Sequence, residues 1–265
     1  MTTYLDSIIE RKYKELAAER RRVDIEEIFA QLPSAPAPLP FAESLRRGNG
    51  IIAEFKRRSP SRGDIHAGIS PADVVGGYSA AGVSAVSCLT DSGFGGSLAD
   101  LRQAVACAAV PVLCKDFFVA ERQVLWARAC GASAILLIAA VLTIGNVRVL
   151  SELARSYGMD VILEIHDEAD LDMIVDSVTV VGVNCRDLRT FEVDTDRAAR
   201  LAGALPSHLP RVAESGIRGV GDLVRLRRAG FDGFLIGEAL MAQPDPAEAC
   251  RRLCRDFDRA LGGGA

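Results

Sequence analysis

Eight short apolar runs rich in Val, Ile and Leu, separated by alanine-rich amphipathic segments, fill the chain from Gly50 onward, and this alternation leaves few folds open. The runs are Ile51 to Phe55, Ala85 to Leu89, Val112 to Cys114, Ala134 to Ile138, Val161 to Ile165, Val180 to Val183, Arg211 to Ala213 and Gly233 to Ile236. Most are apolar throughout, as parallel strands covered on both faces are. Where the chain must turn back toward the next strand it carries glycine, at Ala81-Gly82, Cys130-Gly131, Tyr157-Gly158 and Ala229-Gly230. An open doubly wound sheet uses the same units. Eight in succession, with no GxGxxG after the first, instead favour an α/β fold of the (β/α)8 TIM-barrel type.

Ahead of the repeats, Leu5, Ile8, Ile9, Tyr13 and Leu16 recur at helical spacing, so the first thirty or so residues read as an amphipathic helix with a charged outer face. Such a helix needs a surface to lie on. The proline-rich stretch from Leu32 to Pro40 cannot hold regular structure and reads as a connector, not a domain boundary. The expected organisation is one barrel domain over residues 1–265, with 1–46 as a helical extension and linker.

Several function classes are disfavoured. The net charge is -4, and the one basic block, Arg20-Arg21-Arg22, sits among Glu19, Asp24, Glu26 and Glu27, which suits a solvated helix face better than a nucleic-acid site. The seven cysteines are scattered and form no CxxC, and the three histidines lie far apart, so reduced thiols and no metal or other cofactor are expected. No signal peptide or bilayer-spanning run is legible, and a cytoplasmic location without membrane partners is expected.

In a parallel barrel the strand ends that lead into βα loops form the active-site face. Along Ile52-Ala53-Glu54-Phe55-Lys56, residues two apart share a face, so if Ile52 points into the barrel, Glu54 and Lys56 do too. A charge facing such an interior costs several kcal/mol unless paired or functional. Further polar groups close other strands: Lys115 the third, Glu164 the fifth, Asn184 the sixth and Glu214 the seventh. One such residue alone would read as a structural ion pair. Five strands contributing to one mouth point to acid-base chemistry among groups that perturb each other's pKa values.

A phosphate site is suggested independently. The loops after strands seven and eight begin Glu214-Ser215-Gly216 and Ile236-Gly237-Glu238, with glycines where backbone N–H groups could approach an anion, although the same glycines also suit tight turns. Lys56 could add charge and Ser59 a hydroxyl. The expected phosphate-binding set is Lys56, Ser59, Gly216, Gly237 and Glu238.

Taken in order, the segments Ile52 to Ser61, Leu89-Thr90-Asp91 with Phe94 to Leu98, Pro111 to Phe117, Gly182 to Leu188, Ala213 to Gly216 and Ile236 to Met241 resemble the indole-3-glycerol phosphate synthase family over nearly the whole chain. The resemblance implies ring closure, decarboxylation and dehydration of 1-(2-carboxyphenylamino)-1-deoxyribulose 5-phosphate in tryptophan biosynthesis, a lyase reaction without cofactor or metal. It makes Lys115 the general acid with Glu54 as its partner, and Glu164 and Lys56 the acid-base pair for dehydration. Asn184 and Glu214 would hold substrate hydroxyls, while Arg186 and Ser215 fix the substrate. Phe94, Phe117, Leu136 and Leu188 would supply an apolar wall for the aromatic ring. The N-terminal extension is expected to cap the substrate side. Cys185 and Cys114 depart from residues common in the family, at positions without an implied role.

The implied partner is a small phosphorylated substrate. A monomer is expected, with weak association with other tryptophan-pathway enzymes left open. Rival readings are another phosphate-binding barrel enzyme, such as phosphoribosylanthranilate isomerase or a Schiff-base aldolase, and a catalytically silent binding barrel. The latter has no need to bury five charged side chains.

Overall fold

A computed structural model describes residues 3–59, 62–66, 68–187 and 192–262. Eight parallel strands, labelled in chain order, close into a barrel in which each pairs with its sequence neighbours and the last with the first. They are β1 (Ile51–Phe55), β2 (Ala85–Leu89), β3 (Val112–Lys115), β4 (Ala134–Ile138), β5 (Asp160–Ile165), β6 (Val180–Asn184), β7 (Arg211–Glu214) and β8 (Gly233–Ile236). These match the apolar runs to within a residue at each end. The glycines read as turn residues, Gly82, Gly131, Gly158 and Gly230, all take positive φ (81°, 86°, 77° and 92°), where a Cβ would be strained.

Strand pleating divides the core in two. Outward-facing residues such as Ile51, Ala53, Phe55, Val161 and Leu163 pack against the surrounding helices. Inward-facing Ile52, Leu113, Leu136, Ile162, Val212 and Leu235 fill the barrel itself. Ile52 does face inward, which commits Glu54 on the same strand to the interior as well. The connection after β5 departs from the repeat: it holds a 3-10 helix over Glu168–Met173 where an α-helix would complete the unit. Asp167 and Asp170 there turn their carboxylates onto nearby backbone N–H groups, which competes with α-helical pairing.

The N-terminal segment is three helices and not one. Helix α1 spans Tyr4–Arg20, α2 spans Ile25–Phe29 and α3 spans Phe41–Arg47. The break after α1 follows from Asp24, whose carboxylate caps the start of α2 in a reciprocal capping box with Glu27. A short 3-10 turn over Leu32–Ser34 occupies part of the proline-rich stretch, and residues 35–40 run without regular structure. The buried stripe of α1 also differs from the expected one. Ile8 and Lys12 are buried, whereas Tyr13 is 56% exposed.

The three helices reach three regions of the barrel. Residues Tyr4, Leu5 and Ile8 of α1 line a cavity at the strands' C-terminal ends. Ile28 of α2 packs on the flank against Leu125 and Ala129 of the helix Glu121–Ala129. Phe41 and Leu45 of α3 join the inward-facing cluster near Ala85, Ala134 and Val180, the residues that begin β2, β4 and β6. The Ala42 N–H donates to Asp160, the first residue of β5, at 2.9 Å. Helix α3 is therefore the stopper at the end opposite the cavity.

A fully buried Phe removed from such a stopper leaves a void that rigid strand ends cannot collapse into. Phe41→Ala is expected to lower unfolding free energy by about 3–5 kcal/mol, read from the shift of the urea unfolding curve. A loss below about 1 kcal/mol would show that α3 is dispensable for closing the barrel.

Candidate active site

Five strands deliver polar side chains to one mouth. Glu54 sits near the end of β1, Lys115 ends β3, Glu164 lies next to last in β5, Asn184 ends β6 and Glu214 ends β7. In the ladder Asn184 pairs directly with Glu214, whereas Glu164 pairs with Gly182, two residues before Asn184. Above them opens a cavity of about 610 Å³ lined by Glu54, Lys56, Lys115, Asn184 and Glu214 among others. Glu164 does not line it. That side chain is 1% exposed, with its Oε1 3.5 Å from His166 Nε2.

The charges form one connected group. Glu54 binds Lys56 at 2.6 Å through one oxygen and faces Lys115 at 3.9 Å through the other. Lys115 also meets Glu214 at 3.5 Å. Burial alone would push the Lys115 ammonium toward neutrality, but Glu214, Glu54 and Glu164 around it outweigh that and hold its pKa above the ordinary lysine value. Burial likewise works to raise Glu54, and is overcome by Lys56 and Lys115, which bring it below the usual range. Glu214 goes the other way: burial and the neighbouring Glu164 push its carboxyl up to about 8. The site thus holds a firmly protonated lysine, an ionised glutamate and a second glutamate that retains its proton near neutrality. Lys56 pairs with Glu54, while Glu164 is grouped with Lys115, Glu214 and His166.

Two glycines make this crowding possible. A Cβ on Gly237, just past β8, would lie 2.1 Å from Glu54 Oε2 and 2.9 Å from Lys56 Nζ. One on Gly182 of β6 would lie 2.5 Å from Glu214 Oε1. Backbone stands where side chains would otherwise exclude the carboxylates.

Of the other expected site residues, Ser59, Phe94, Phe117, Leu136, Arg186, Ser215, Gly216, Gly237 and Glu238 all line the same cavity. Leu188 lies outside the described residues. Phe94 and Phe117 form a tilted pair with ring centroids 6.4 Å apart, giving the cavity an apolar wall. Asn184 accepts the Arg186 N–H at 2.9 Å through its side-chain oxygen, which fixes the start of that loop. Ser215 is the one described non-glycine residue with positive φ, 69°, and Gly216 follows at 77°. Two successive left-handed residues bend the β7 loop tightly at the cavity edge, a conformation that costs about 1–3 kcal/mol at a non-glycine position. Glu238 turns its carboxylate to Arg62 at 3.0 Å, so only its backbone N–H suits an anion.

Arg58, Arg62 and Arg218, to which the sequence alone assigns no role, add positive charge to the lining, and Asp116 joins them there. Arg58 lies inside the Lys56-Arg57-Arg58-Ser59 motif, Arg62 follows it and Asp116 follows Lys115, so the signal was adjacency to residues already singled out. Lys12, buried in α1, was also missed; a lysine four residues after Ile8 on an apolar stripe was the available sign.

The raised Glu214 fixes a pH signature. In the unfolded chain this carboxyl ionises near its ordinary value, in the folded chain only toward 8. The cost is absent at low pH, grows as pH rises through that window and is complete above it. Glu214→Gln should therefore raise Tm relative to the unsubstituted protein more at pH 8.5 than at pH 5. Equal shifts at both values would remove the burial of an ionisable proton at this position.

The family model described as indole-3-glycerol phosphate synthase matches residues 5–253. Among similar proteins, the indole-3-glycerol phosphate synthase of Bacteroides thetaiotaomicron is 42% identical over 257 residues, covering 96% of this chain and 99% of its own. That of Mycolicibacterium vanbaalenii is 44% identical over 250 residues (93% and 92%), and that of Desulfosudis oleivorans 41% over 261 (96% and 99%). A solved chain from the tryptophan synthase α2β2 complex of Pyrococcus furiosus aligns with a TM-score of 0.56 over 81% of this chain and 98% of its own. At 14% identity it speaks to the barrel fold alone. With the family model spanning nearly the whole chain and these relatives matched end to end, the protein belongs to the indole-3-glycerol phosphate synthase family.

Proposed function

We propose that the chain converts 1-(2-carboxyphenylamino)-1-deoxyribulose 5-phosphate into indole-3-glycerol phosphate, with Lys115 as the general acid of ring closure. The observation that carries the assignment is the Lys115 ammonium, held between Glu54 and Glu214 at the floor of a cavity with an aromatic wall. The aniline ring is already nucleophilic, so the protein has to position it and protonate the carbonyl oxygen as the ring carbon bearing the carboxylate attacks. The new carbon–carbon bond forms, carbon dioxide leaves and the ring regains aromaticity. The hydroxyl left on the former carbonyl carbon then departs as water while a proton is lost from the adjacent carbon.

Glu54 keeps Lys115 charged before the first step and, through Lys56, ties both lysines to one carboxylate. For the dehydration, Lys56 delivers a proton to the departing hydroxyl and Glu164 takes one from carbon. Glu164 has to become reachable for that role. Proton transfer from Lys115 supplies a cause, since it removes the cation that keeps Glu54, Glu164 and Glu214 together. Glu214, retaining its proton near neutrality, can hydrogen-bond a substrate hydroxyl alongside Asn184.

At the cavity edge, backbone N–H groups around Ser215-Gly216 and Gly237-Glu238 take the phosphate, with Ser59, Lys56 and nearby arginines adding donors. Phe94, Phe117 and Leu136 hold the ring, Arg186 fixes the substrate, and Leu188 is assigned to the wall by resemblance. A cytoplasmic, monomeric enzyme built as one 1–265 domain, with 1–46 as extension, belongs to the same proposal.

Turnover tests it directly. Purified protein with chelator present should generate indole fluorescence from the carboxyphenylamino sugar phosphate, and Lys115→Met should lower kcat by roughly a hundredfold or more. A variant as fast as the unsubstituted protein would remove Lys115 from the mechanism. Gly237→Ala, which drives a methyl group into the Glu54–Lys56 pair, should lower kcat/KM by at least about tenfold with unchanged circular dichroism. Retention of full activity would mean that the pair's placement is not needed.

A further inference from the structure

Beside the aromatic wall, reaching the cavity lining only through Asp116, lies an ionic cluster that the catalytic assignment does not use. Lys12 of α1 is 5% exposed, and its ammonium lies 2.7 Å from Asp91 Oδ2 in the loop after β2 and 2.7 Å from Asp116 Oδ1 in the loop after β3. Each carboxylate is also anchored to its own loop. Asp91 accepts the Gly93 N–H at 2.9 Å and the Arg11 guanidinium at 2.7 Å. Asp116 accepts the Phe117 N–H and the Thr90 hydroxyl, both at 2.7 Å. Thr90 in turn donates its N–H to the Lys115 carbonyl at 2.9 Å. The residues on either side of this cluster are Phe94 and Phe117, the two rings of the wall, and Lys115 itself.

We propose that Lys12 is a positioning residue for ring recognition, a clamp through which α1 sets the spacing of the β2 and β3 loops and hence of Phe94, Phe117 and Lys115. The proposal rests on the reading of that wall as the aromatic-ring subsite. Its physical basis is the cost of leaving the aspartates apart from their cation. Without Lys12 the buried Asp91 keeps only the half-exposed Arg11 and the partly buried Asp116 keeps no cation among the described residues, so the two carboxylates repel across the loop junction and the loops tend to separate. That separation moves the Asp116 carboxylate that holds the Phe117 amide. Among the described residues the loops after β7 and β8 make no hydrogen bond or ion pair to Lys12, Asp91 or Asp116, so the effect is expected at one end of the substrate.

Two readouts test the clamp. The first needs no ligand: in Lys12→Met, hydrogen exchange at the Gly93 and Phe117 amides should speed up at least tenfold, with the amides of β6 and β7 unchanged. The second compares two ligands by calorimetry, the substrate's alcohol with its carbonyl reduced, which keeps the ring, and ribulose 5-phosphate, which lacks it. Lys12→Met should weaken the ring-bearing ligand at least tenfold and leave the ring-free one within twofold. Asp91→Asn, a milder change that retains the side chain's shape, should show the same pattern at smaller size and serves if Lys12→Met does not fold. Unchanged exchange, or equal losses for both ligands, would overturn the clamp. Failure of the unsubstituted protein to bind the ring-bearing ligand would strike the ring-subsite reading instead, while the exchange result still decides whether Lys12 joins the loops.

Discussion

Everything at the mouth of this barrel depends on keeping carboxylates and ammonium groups out of water in a balance that neither side wins. Three glutamates and two lysines share a region where an isolated charge would be prohibitive, and Glu54 is the member that reaches both cations. The barrel supplies the constraint. Parallel strands that all end at one face bring charges from β1, β3, β5 and β7 to the same mouth, whether or not their attraction alone would gather them. The result is a set of proton affinities spread apart within a few ångströms, with Lys115 and Glu214 raised and Glu54 lowered.

Holding that group in place is the work of the loops and of what lies behind them. Arg57, just past β1, forks onto Asp100 of the helix Leu98–Cys107 with both bonds under 3 Å, donates to the Ile69 and Gly95 carbonyls, and stacks over the Phe55 ring. One planar cation thereby joins the β1 loop to the β2 loop, a task for which a lysine's point charge would not serve. Lys12 plays the complementary part for the β2 and β3 loops. At the far edge the glycines at 182 and 237 act by leaving space.

Much of this was legible in the residues. The strand runs stand where the apolar segments place them, because strands buried on both faces must be continuously hydrophobic, and period-two alternation from Ile52 was enough to turn Glu54 inward. The site residues Lys115, Glu164, Asn184 and Glu214 were visible as polar breaks at the ends of those runs. Other features were hidden for physical reasons. The division of the N-terminal segment turned on a cap at Asp24, a local contest that periodicity does not register. The insertion of Lys12 depended on partners as distant in sequence as Asp91 and Asp116, and the seclusion of Glu164 from the cavity depends on packing that no strand pattern encodes. Fold was written in repetition, while the pairings among charges were not.

The route of the first helices has a consequence for how the chain comes into being. Synthesis delivers α1 and α3 before any strand, yet the aspartates that neutralise Lys12 lie at positions 91 and 116, and the interior that receives Phe41 and Leu45 closes only when β8 pairs with β1. A nascent chain therefore carries greasy and charged groups whose destinations have not yet left the ribosome. The helices made ahead of the strands must wait for their anchors, α1 until the β3 loop exists and α3 until β8 does.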